Sequence, residues 1–123
     1  AVSLTKPIQG LPYGYDFHTH NLRQYLNIPD FQVVLPIDPR LAYYLIEKLI
    51  EKVKAGEKVE RGMTFSGLIQ EGDILIAEVP WTLPEGEVVI LSRIILPDEN
   101  GLLYGELEGM SEKYSRQWDG ASI

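Results

Sequence analysis

Cysteine is absent from the chain, which excludes disulfides, thiolate nucleophiles, zinc ribbons and iron–sulfur clusters together. Histidine is scarce: the 123 residues contain two, so a metal site would have to combine those imidazoles with carboxylates. Basic residues are few as well. The 11 Lys and Arg stand against 18 Asp and Glu, a formal charge of −7, and their dispersal argues against a nucleic-acid groove, which needs clustered cations. An acidic surface suits a basic partner protein, or simply keeps the chain in solution. No long apolar run is present. Val88-Val89-Ile90-Leu91 is interrupted by Ser92 and Arg93 before Ile94-Ile95-Leu96, far short of the roughly 18 residues a bilayer span requires, so no membrane association is expected. The N-terminal residues lack a basic segment leading into an apolar one, so no secretion signal is read and the cytoplasm is the expected location.

What is there has the balance of a globular protein, 45% hydrophobic and 24% charged, at a length that fits a single domain over residues 1–123. The clearest pattern begins at Asp38-Pro39, a good N-cap followed by a residue preorganised for the first helical position. Leu41, Leu45 and Leu49 then fall on one ridge and Ala42, Ile46, Ile50 and Val53 on the next, with Glu47, Lys48, Glu51 and Lys52 opposite. Lysines crowd the last turn and Gly56 supplies the stop, which predicts a helix over residues 39–55. Tyr43 and Tyr44 are expected to split, one inward and one outward.

Residues 31–36 read as a buried strand, residues 58–60 as a short one and residues 102–105 as an edge strand. Residues 73–79 and 87–96, rich in Ile and Val, read as the strongest pair and as an antiparallel hairpin. The two prolines of residues 80–86 predict a defined loop between them. One long helix and no repeated βα unit give the expected fold class: α+β, an antiparallel sheet of four to five strands with one long helix packed on one face.

Both histidines lie in the stretch Tyr15-Asp16-Phe17-His18-Thr19-His20-Asn21. On an extended strand Asp16, His18 and His20 would share one side, and two imidazoles with a carboxylate form a known ligand set for Zn²⁺, Mn²⁺ or Fe²⁺ with open positions. The string resembles the start of amidohydrolases and related phosphoesterases over five residues, but those enzymes take further histidines from a much longer barrel, and that assignment is rejected. The other reading is a polar corner, with the imidazoles hydrogen-bonded to backbone and Asp16, and Asn21 capping the run Leu22 to Leu26. Tyr13, Tyr15, Asn21 and Trp81 are candidates for a binding surface, since aromatics with a few polar groups line such surfaces.

The segments PDFQVVLPIDPRLAYYLIEKLIEKVKAGEKVERGMTFSGLI and LPDENGLLYGE, within residues 29–106, resemble the uncharacterised bacterial family catalogued as domain of unknown function 4262. The shared features are a short apolar strand, a Leu-Pro junction, a long helix ending in Ala-Gly-Glu and a Pro-Asp-x-x-Gly turn. The N-terminal part departs, with PYGYDFHTHNL where the family has an aromatic-rich strand leading to its histidine. The resemblance implies a fold and a bacterial or phage setting, and no activity or cofactor. The expectation is therefore a small acidic domain acting by binding a protein partner or a second copy of itself, with no cofactor. The alternative is a metal-dependent enzyme, hydrolytic or oxidative, with a divalent transition metal at Asp16, His18 and His20.

Overall fold

A computed structural model describes residues 2–7, 15–19, 22–35, 37–70, 72–83, 85–97 and 116–118, with side chains at all but 2–7, 15–16 and 116. In chain order the elements are β1 (Val2–Pro7), β2 (Tyr15–Thr19), α1 (Leu22–Leu26), β3 (Phe31–Val33), α2 (Pro39–Lys54), β4 (Thr64–Phe65), β5 (Ile74–Thr82), β6 (Val88–Ile95) and a 3₁₀ turn, Arg116–Trp118. The strands form one six-stranded sheet in the order β1-β2-β3-β6-β5-β4.

The α+β class is as expected, and the finer picture needs correction. Four of the pairings are antiparallel, but β3 and β6 run parallel, with Phe31 beside Ser92 and Gln32 beside Arg93. Two antiparallel meanders, β1-β2-β3 and β4-β5-β6, thus meet along a parallel seam, and α2 is part of the crossover that such a seam needs. The long helix is joined by the short α1, so it is not alone. Residues 58–60 form no strand; Val59 is a buried anchor, and bonding to β5 begins at Gly62, whose N–H donates to the Ile76 carbonyl and whose φ of +85° turns the chain. The expected strand at residues 102–105 lies outside the described residues.

Helix α2 forms for the reasons its sequence gives. The Asp38 carboxylate accepts from the Arg40 backbone N–H at 2.9 Å and from the Arg40 guanidinium at 2.9 and 3.3 Å. At the other end Gly56 N–H donates to the Val53 carbonyl and Glu57 N–H to that of Lys52, a Schellman closure that places Gly56 at φ +89°. Ala42, Leu45, Ile46 and Leu49 are buried against Phe17, Phe31, Val33, Ile76 and Ile94 on one face of the sheet. Tyr43 and Tyr44 do not split: each is 43% exposed, with Lys48 Nζ resting 5.6 Å from the Tyr44 ring. The ridge occupied by Ala42, Leu45, Ile46 and Leu49 is wide enough to fill the sheet face without either ring.

The other face carries Leu75, Ala77 and Ile95, packed by Trp118, and a row of polar side chains that crosses the seam. Arg93, 4% exposed, donates from Nε to Gln32 Oε1 at 3.0 Å and from Nη1 to the Gln117 carbonyl at 3.0 Å. The Gln117 side chain in turn accepts from Leu96 N–H at 2.8 Å and donates to the Leu96 carbonyl at 2.9 Å, continuing the β6 edge like a one-residue strand. No buried polar side-chain atom among the described residues lacks a hydrogen-bond partner, as a low-dielectric interior demands.

Two outcomes follow. Arg93→Met fills similar space but removes the donor to Gln32 Oε1 and to the Gln117 carbonyl, and urea denaturation is expected to show a loss of roughly 1–3 kcal/mol for each. The Arg40 side chain, then its backbone N–H, hold the Asp38 carboxyl below the usual carboxylate range. A depressed folded value stabilises above the unfolded value of about 3.9 and is lost as pH falls through the folded one. The thermal midpoint of Asp38→Asn, which keeps a capping oxygen, should therefore lie below wild type at pH 6 and converge with it in strong acid.

Candidate functional site

Strand β2 alternates as its sequence dictates: Phe17 and Thr19 are buried on the helix side, so His18 falls on the opposite side, half-buried, beside Gln32 of β3. Because Gln32 neighbours Arg93, the sheet register forms a line His18–Gln32–Arg93–Ala77 across four strands. His18 thus stands at the end of the buried polar row rather than in a turn.

The chain after β2 is closed by Asp30. Its Oδ1 accepts from the Thr19 hydroxyl at 2.7 Å and from Leu22 N–H at 3.1 Å, the first backbone donor of α1, while Phe31 N–H donates to Thr19 Oγ1 at 3.0 Å. Asp30 therefore caps α1 from the far end of its loop. Asn27, at φ +55°, ends α1 in the left-handed region that Asn tolerates better than most residues.

A length mismatch next to this corner creates a groove. Strand β3 has three residues and covers only Ser92 and Arg93 of the eight-residue β6. The outer half of the β5–β6 hairpin therefore projects past it. Between hairpin and corner lies an open cavity of about 420 Å³, walled on one side by Trp81, Leu83, Glu87 and residues 89–91 of β6 and on the other by His18, Thr19, Arg23, Pro29 and Asp30. Its lining is amphipathic: one aromatic and several aliphatic groups, with the Glu87 carboxylate among them, face an imidazole, a guanidinium and the Asp30 carboxylate.

Trp81 reaches this wall because residues 80–82 are strand and not loop. Pro80 pairs opposite Ile90 and Trp81 opposite Val89. Proline is tolerated there because, among the described residues, no strand pairs with β5 on that side beyond Ile76. The actual reversal is tight: Gly86 N–H donates to the Leu83 carbonyl and Leu83 N–H to that of Glu87, with Gly86 at φ +95°.

Of the residues singled out from sequence, the structure brings His18 and Trp81 together on one groove. Asp16 lies two strand positions before His18 and Tyr15 begins the strand. Tyr13, His20 and Asn21 lie outside the described residues. Among the described residues no three His, Asp or Glu side chains are grouped closely enough to hold a metal ion. Asp30, Arg23 and Glu87 were not marked by any sequence pattern; they belong to three different segments, and only the register assembles them. No helix among the described residues is long and apolar enough to cross a membrane.

No family model, curated protein or solved structure matches the chain. Asp30→Ala removes the acceptor shared by Thr19 and Leu22, and is expected to cost about 1–3 kcal/mol by denaturation. Amide exchange should speed up first in α1, next to the groove.

Proposed function

We propose that this protein acts by binding a protein ligand in the groove between His18 and Trp81. The observation that carries the reading is their convergence: two residues 63 positions apart in sequence line one open cleft whose wall is mainly apolar with a few polar and charged groups. Such a mixture suits recognition, because the apolar wall supplies affinity and the few polar groups fix orientation. Trp81 is the natural anchor, as half-buried aromatics at the centre of a cleft carry a large share of binding energy.

The alternative, a divalent transition metal held by Asp16, His18 and His20 in a hydrolytic or oxidative enzyme, draws support from the opening of His18 onto a cleft that also holds Asp30 and Glu87. One experiment separates the two readings. A random linear peptide library is selected on the immobilised protein, and enriched ligands are titrated against wild type, Trp81→Ala and the His18→Ala, His20→Ala double variant, with elemental analysis of each. Binding weakened about tenfold or more by Trp81→Ala, in metal-free protein, supports the groove. Stoichiometric metal that the double variant loses, together with ligands indifferent to Trp81, would replace it with the metal reading.

A further inference from the structure

Resting on the groove as a binding site, we infer how it is occupied: an extended basic peptide segment pairs, backbone to backbone, with the edge of β6 at Val88 and Ile90, which no strand among the described residues covers. The direction of the backbone fixes which groups are available. Ser92 N–H donates to the Asp30 carbonyl, so Ser92 presents its backbone groups toward β3. In a strand this direction alternates, and Ile90 and Val88 therefore present theirs to the same side, where β3 has already ended. Glu87, Val89 and Leu91 bond the other way, as the Leu83 N–H to Glu87 carbonyl bond at 2.8 Å confirms for that register. Among the described residues no strand pairs with β6 on that side before Ser92.

Side chains at the edge match this use. Val88 is 60% and Ile90 44% exposed, unusual for β-branched residues in the strand that adjoins the seam. On the opposite side of the same strand Val89 and Leu91 line the groove with Trp81, and Ile90 borders the groove as well. An added strand would therefore find apolar surface for alternate side chains on both faces. Natural sheet edges are normally blunted by lysines, prolines or bulges; the 88–91 edge has none of these.

Charge selects the partner. Between Arg61 and Arg93 the sequence contains Glu71, Asp73, Glu78, Glu85 and Glu87 and not one Lys or Arg. Glu78 has Arg61 within 3.9 Å, whereas Glu85 and Glu87 sit at the hairpin tip, the latter in the groove wall. Arg23 lies across the groove, on α1. A segment with Lys or Arg at alternate positions would thus meet Glu87 and the Trp81 face, where a cation is attracted by the ring.

The test uses a capped octapeptide alternating arginine and valine, its glutamate–valine counterpart, and two copies of the first N-methylated at alternate amides, one in each register. Titrations are followed by Trp81-dependent fluorescence and by amide exchange at Val88 and Ile90. The expected result is binding of the arginine peptide at least tenfold tighter than of the glutamate one, weakened by salt. One N-methylated register should lose binding tenfold or more while the other keeps it, and the Val88 and Ile90 amides should become protected. Equal binding of both N-methylated copies, or preference for the acidic peptide, overturns the inference while leaving library ligands sensitive to Trp81→Ala free to uphold the groove. A peptide-free dimer by light scattering, with Val88 and Ile90 already protected, would assign the edge to a second copy instead and overturn it too.

Discussion

Everything on the sheet is tied to Arg93. Its guanidinium lies at the parallel seam, where one strand of each meander meets, and it bonds to Gln32 across that seam and to Gln117 from the C-terminal turn. A parallel pair only two residues long in register is a weak join by backbone alone. A buried guanidinium also demands several acceptors in fixed positions, so satisfying it fixes the register, the meander orientation and the seat of the 3₁₀ turn at once. Gln117 extends the same logic by pairing both of its amide groups with Leu96.

The candidate site is a by-product of that arrangement. A seam confined to Ser92 and Arg93 leaves the rest of β6 projecting beyond β3, and the space beside it becomes the groove. The Asp30 carboxylate then holds the opposite rim in place by joining Thr19 to the first turn of α1. Rim and wall come from the two different meanders, so the width of the cleft depends on the seam. The polar row that runs from Arg93 through Gln32 reaches His18 in the cleft wall, which links the seam to the groove.

How much of this was legible depended on the range of the interaction. The helix over 39–54 shows in its caps and its 3.6-residue apolar spacing, both contained in a few turns of chain. The β5–β6 pair shows in its Ile and Val content, although the prolines hid its true length: Pro80 reads as a breaker unless one knows that no strand among the described residues pairs with that part of β5 on the side away from β6. His18 was marked by residue type and Trp81 by size. Their meeting was not, and neither were Asp30, Arg23 and Glu87, since nothing local distinguishes a carboxylate that caps a helix eight residues away from one that faces water.

The sequence by itself determined the long amphipathic helix, the central Ile- and Val-rich strand pair and the acidic balance, because propensity, periodicity and charge act between near neighbours. Only the tertiary structure decided that the sheet is mixed, that Arg93 is buried, and that among the described residues β3 covers only two residues of β6. Those features rest on hydrogen bonds such as Arg93 to Gln32, 61 residues apart. A bond at that separation leaves no periodic trace in the chain, since its partners are matched by register across strands rather than by spacing along one.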